Sequence, residues 1–177
     1  MPFMQRLENR WDRRRGEATE QVRVEAALWV AALIGTVWEF LMTPEALLLT
    51  SDYVVNVFPV PGTPSRQKGQ QLVVVHQADG VLAPHIHEIV VLEHMSRIVE
   101  LCRTEPFECW SASTLNDAPN GGTNLSSQMG LTVEQGLGRS MRPQLETQLR
   151  EELWRTKRAI ESGARFPSQD GRHEDKT

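Results

Sequence analysis

The run Ala26–Met42 (AALWVAALIGTVWEFLM) constrains this chain more than any other segment, because its setting decides how everything around it is read. Residues Ala26–Ile34 are apolar on all sides of a helical projection, and such a helix lies inside protein or inside lipid. Gly35 and Glu39 interrupt the run, and it falls short of the about 20 apolar residues a spanning helix needs. The expectation is therefore a core helix. Trp29, Leu33 and Phe40 share one helical face with Val37, while Trp38 points the other way and needs a second cover. Burial of each large side chain on that face contributes roughly 1.5–3 kcal/mol. The alternative is a membrane anchor. The preceding RWDRRR segment, Arg10–Arg15, would then place the N-terminal side in the cytoplasm or matrix. Its interleaved acids favour a solvated helix face over a lipid- or phosphate-binding patch.

The chain has 177 residues, which suits one domain with tails. A net charge of -4 with no basic excess makes a nucleic-acid partner unlikely. Cys102 and Cys109 are the only cysteines. Their spacing is not that of a zinc knuckle or a redox CxxC pair, and two free thiols in a reducing compartment are expected. The first 22 residues mix Glu8, Asp12, Glu17 and Glu20 with arginines, and no small-residue cleavage site closes the apolar run. Neither a secretory signal nor a transit peptide is read there, and an intracellular location is favoured, with membrane association as the alternative.

Met4, Leu7 and Trp11 recur at helical spacing and predict an amphipathic first helix. Asp52–Val60 and Gln71–His76 are rich in β-branched residues and predict an antiparallel strand pair, with Pro59 confining the first to an edge. Asp79-Gly80 is a turn signal. From Pro84 the spacing of Ile86, Ile89, Leu92, Met95, Val99 and Cys102 predicts a central helix reaching Arg103. The cluster Ile89-Val90-Val91 supports a strand there instead. Trp110–Thr132 is dominated by Ser, Asn and Gly and reads as a loop. Met141–Gly163 is the clearest helix, with Pro143 in its first turn, Gly163 at its end and pairs Glu146–Arg150 and Glu151–Arg155 at i,i+4. The expected fold class is α+β: long N-terminal and C-terminal helices flanking a small antiparallel sheet and a central helix. The expected organisation is a core domain over 1–110, a flexible loop over 111–135, a helical segment over 136–163 and a disordered tail over 164–177.

Four of the five histidines (His76, His85, His87 and His94) fall close together, with Glu88 and Glu93 among them. Imidazole with carboxylate suits zinc or iron. His87-Glu88 begins an H-E-x-x-H pattern, but Val91 stands where its second histidine must be. On a helix His87 and His94 would lie roughly 10.5 Å apart along the axis, too far for one ion. The stretch Gly80–Glu93 (GVLAPHIHEIVVLE) resembles the first metal motif of the cupins, an H-x-H followed by a glutamate inside a small β-barrel. The resemblance implies ligands at His85, His87 and Glu93, with His76 nearby. It spans about fifteen residues, its gaps depart from the family's spacing, and no second histidine motif follows.

No P-loop and no G-x-S-x-G elbow is present. Catalytic residues are not assigned and no cofactor is expected. The favoured function is a non-catalytic interaction or assembly subunit, an adaptor or chaperone-like module with a protein partner or a second copy as its target. Its contact residues would be Trp11 together with Leu145, Leu149, Leu153 and Trp154 on the narrow stripe of the last helix. A membrane-anchored accessory protein and a small histidine-based metalloprotein are the alternatives.

Overall fold

Val22, Arg23, Val24 and Glu25 alternate buried and exposed, the period of a strand with one face on a core. In the computed structural model, which describes residues 19–78, 80–104 and 107–164, this alternation wins over the apolar run that follows it. Strand β1 covers Thr19–Val30 and pairs along its whole length with a strand near the other end of the chain. The helix α1 starts only at Ile34 and ends at Leu41. The predicted helix Ala26–Met42 is thus the end of a strand, a bend and a short helix. Its predicted face dissolves accordingly. Trp29 is partly exposed and Leu33 is 75% exposed, whereas Val37, Trp38 and Phe40 are buried together. Among the described residues no helix is long and apolar enough to cross a membrane. The predicted first helix, with Trp11, lies outside the described residues.

A short 3-10 turn, Pro44–Ala46, leads into α2 (Leu47–Thr50). The rest of the sheet follows as β2 (Val54–Pro59), β3 (Gln71–Ala78), β4 (Val81–Glu93), β5 (Arg97–Thr104), β6 (Phe107–Asp117) and β7 (Thr123–Glu134), before the long helix α3 (Gly138–Glu161). All seven strands form one antiparallel sheet in the order β1-β7-β6-β5-β4-β3-β2. Pro59 does sit on an edge strand, and Gly80 takes φ 77° where β3 turns into β4.

Two further expectations are overturned. The central helix Pro84–Arg103 is the hairpin β4–β5; its β-branched cluster prevails over helical spacing. Residues 111–135 are no loop, since nearly all of them belong to β6 and β7. Their serines and asparagines fill ladder positions between two neighbouring strands, so local turn preference yields to pairing on both sides. The fold is mostly sheet, not long helices around a small sheet. Of the tail predicted over 164–177, only Ala164 is described.

The register puts Val22, Val24, Leu125, Ile98, Ile89 and Val74 on one face, and α3 lies across it. Leu153 and Ile160 join the larger cluster with Val30, Leu125, Ile89 and Ile98, and Leu149 packs with Val22, Val24 and Val133. On the outer face, Gly130 of β7 lies under the Trp110 indole, over which Arg23 also stacks at 5.7 Å. A Cβ at Gly130 would fall 2.2 Å from Trp110 Nε1. Gly130→Ala is expected to lower stability by about 1–3 kcal/mol, because the indole must leave its seat. Gly35→Ala in α1, whose Cβ would meet nothing nearer than Met95 Cε at 3.8 Å, is expected to be neutral or stabilising by up to about 1 kcal/mol. Urea unfolding of the two variants beside the parent checks both.

Candidate functional site

Between the inner face of the sheet, α3 and the α1–α2 segment lies a cavity of about 160 Å³. Leu72, Ile89, Ile98 and Leu125 form its apolar floor, and Leu149 and Leu153 its roof. Into this setting the register brings polar groups. Glu100 of β5 stands opposite Ser111 of β6, and Ser113 of β6 stands opposite Ser127 of β7. The Ser113 and Ser127 hydroxyls lie 3.3 Å apart, and Ser111 hydrogen-bonds the Glu100 carboxyl. From the roof, Glu152 faces the same space and accepts a hydrogen bond from Gln148 Nε2 at 3.0 Å.

Burial raises the pKa of both acids. For Glu100 desolvation outweighs the opposing pull of His87 and the Ser111 hydroxyl. For Glu152 desolvation outweighs its hydrogen bonds to Gln148 and Ser51 and the charge of Arg155. Both carboxyls are thereby biased toward the neutral form, which has an O–H to donate. Two carboxyls on opposite walls of a mostly apolar cavity are suited to orient a guest by hydrogen bonds, as donors where they hold their proton.

Next to Glu100 on the same face runs a second row, Cys109, Cys102, His87 and Leu72, one residue from each of four adjacent strands. His85 Nδ1 lies 3.8 Å from Cys102 Sγ, and the His76 ring centroid is 4.8 Å from that of His85 and 5.9 Å from that of His87. His76 is held below the ordinary histidine value by burial and by its two histidine neighbours. Burial opposes charge on His87 too, but its hydrogen bond with Cys102 and the nearby Glu100 overcome this and raise it. His87 Nε2 is buried without a partner.

The expected metal set is only partly assembled. His76, His85 and His87 converge, but Glu93 lies six residues along β4 from His87, about 20 Å at about 3.3 Å per residue. Among the described residues no group of three or more His, Cys, Asp or Glu is placed to hold a metal ion. An open sheet wrapped on a helix also differs from the barrel that the cupin resemblance implied. Of the expected contact residues, Leu149 and Leu153 are buried in the chain's own core, Leu145 is half-buried against it, and Trp154 is 58% exposed. The assembly stripe is the helix's seat on its own sheet. Trp29 donates Nε1–H to the Gly121 carbonyl and stacks under Lys157, and Phe40 lines the cavity. Trp38 finds its second cover inside the chain, where His94 meets it edge-on. Glu100 and Glu152 were missed; their only signal was an acid inside the short apolar run Ile98–Cys102 and one on the apolar side of the helix.

The chain matches no protein-family model and no curated protein. Its fold is shared with solved structures. The di-domain ARO/CYC StfQ from the steffimycin biosynthetic pathway aligns at 17% identity with a TM-score of 0.65, over 88% of this chain and 55% of that one. Norcoclaurine synthase of Thalictrum flavum, a point mutant in complex with a transition-state analogue, aligns at 10% identity and 0.63, over 84% and 99%. A protein of unknown function from Staphylococcus aureus aligns at 14% and 0.67, over 82% and 96%. The chain has a helix-grip-like fold: one antiparallel sheet closed around one long helix.

An acid whose folded pKa exceeds its unfolded value destabilises the fold as pH rises above that unfolded value, near 4.5 for Glu152. The unfolded chain then binds fewer protons than the native one, and the loss grows until pH passes the raised folded value. Glu152→Gln keeps an oxygen for Gln148 and removes the titration. The variant is expected to match the parent's relative stability at pH 4 and to exceed it at pH 8. Denaturant midpoints across that range check the sign.

Proposed function

We propose that this protein binds a small, neutral, largely apolar molecule of about one ring in the cavity between sheet and helix, oriented by Glu100 and Glu152. The observation that carries this reading is the placing of two half-buried carboxyls, each raised by desolvation, around one apolar space. A dry apolar cavity of about 150 Å³ takes a guest the size of benzene. A carbonyl or hydroxyl oxygen on such a guest would accept a carboxyl proton in a hydrogen bond. A carboxylate guest would be rejected, because it would be desolvated beside two acids. That norcoclaurine synthase was captured with an organic molecule on the same fold is consistent with this use of it.

The assembly role expected from the sequence now rests on Trp154, the one described member of its contact set that is exposed. Ligand binding is therefore the preferred reading.

Thermal shift and calorimetric titration with neutral one-ring oxygen compounds, such as phenol and acetophenone, test it. Expected affinities are near −4 to −5 kcal/mol, roughly millimolar to high micromolar, from the limits on free energy per ligand atom. Ser113→Leu fills the cavity from the floor and is expected to abolish the response while the circular dichroism spectrum stays that of the parent. A parent that responds to none of these compounds, or a Ser113→Leu variant that binds them equally well, rejects the proposal.

A further inference from the structure

The row beside the cavity brings together the chain's two cysteines and the imidazoles of its histidine cluster. Cys102 of β5 and Cys109 of β6 stand directly opposite in the antiparallel ladder. Directly opposed residues in such a ladder have Cα atoms about 4.5–5.5 Å apart, inside the about 4.4–6.8 Å range of disulfides. Both are free thiols in the structure, and their side chains are hydrogen-bonded to each other. Cys102 is buried and also touches His85 and His87, while Cys109 is only half-buried.

We propose that Cys102 and Cys109 form a redox-active dithiol that reduces hydroperoxides and closes to an intrachain disulfide across β5 and β6. Cys102 is the attacking sulfur, because among the described residues it is the one with imidazoles, His85 and His87, against it to take the thiol proton. Cys109 is held well above the usual thiol range by its hydrogen bond to Cys102 and by burial, so it keeps its proton and acts second. In the first step Cys102 sulfur attacks the terminal oxygen of the hydroperoxide. The O–O bond breaks, the alkoxide takes the imidazole proton and leaves as alcohol (water when the oxidant is hydrogen peroxide), and Cys102 becomes a sulfenic acid. In the second, Cys109 sulfur attacks Cys102 sulfur, the S–O bond breaks, and hydroxide leaves as water with the Cys109 proton. Two thiols are oxidised by two electrons, and one peroxide is reduced.

The test needs no cavity ligand, so its outcome is separate from that of the binding reading. The full chain, fully reduced, is treated with one equivalent of hydrogen peroxide and examined by denatured thiol titration, intact mass and peptide mapping. The expected result is loss of both thiols, a mass lower by two hydrogens, a Cys102–Cys109 cross-linked peptide and recovery of both thiols with dithiothreitol. In Cys109→Ser the reaction should stop at a Cys102 sulfenic acid that dimedone captures; in Cys102→Ser no dimedone adduct should form. Thiols that survive the treatment, disulfides between chains, or oxygen-containing adducts in the parent without the 102–109 cross-link would overturn the proposal.

Discussion

Everything in this molecule depends on how α3 is fastened to β1. The helix has no capping side chain of its own at Leu137. Its first amide, Gly138 N–H, donates to Glu20 Oε1 at 2.6 Å, and the same oxygen accepts the Gly136 N–H of the preceding turn at 2.9 Å. A carboxylate at a helix start also meets the positive end of the macrodipole. Gly138 has no Cβ to obstruct this, since one would lie 2.7 Å from that oxygen. Further along, α3 covers the free edge of the first strand. Arg142 donates to the Arg23 carbonyl, Lys157 donates to the Trp29 carbonyl, and Glu161 accepts the Ala31 N–H. An edge strand with open backbone groups invites pairing with other chains, and here helix side chains occupy those groups.

With both ends of α3 fixed to β1, its middle spans the centre of the sheet. Arg155 reaches Asp52, at the head of β2, and so ties the helix to the far side as well. The space beneath is the cavity, and its polar content follows from the register. Burying a hydroxyl or carboxyl is costly unless it is bonded. Ser111 with Glu100, Ser113 with Ser127, and Glu152 with Gln148 each meet that condition within the wall. The wall is polar without requiring water.

The sequence marks some of this plainly. The strands over 54–59 and 71–78, the edge position of Pro59, the turn at Gly80 and the long last helix follow from local residue preferences, which tertiary contacts here reinforce. Of the four histidines grouped by sequence, His76, His85 and His87 lie together because positions on one strand and on the strand beside it share a face, while His94 packs against Trp38 instead. What local reading misses is whatever non-local pairing decides. Ala26–Val30 is helix-like in composition and is a strand because β7 lies beside it. Ser111–Ser113 and Ser126–Ser127 look like loop and are strand because each has a partner on both flanks. The stripe of Leu149 and Leu153 is legible as a contact surface, but a single sequence does not say that its partner is the chain's own sheet.

The closing of β1 on β7 has a kinetic side. Thr19 pairs with Glu134 and Val30 with Thr123, so about a hundred residues separate each pair along the chain. Such loops are slow to close, since their entropy is lost before the contacts form. On the ribosome β1 emerges first and must wait, with its apolar valines uncovered, until β7 and then α3 have left the exit tunnel. The meander from β2 to β7 joins sequential neighbours and is free to form during that wait. The first strand made is thus among the last to be placed, and the nascent chain is most exposed to misassociation until β7 and α3 have joined it.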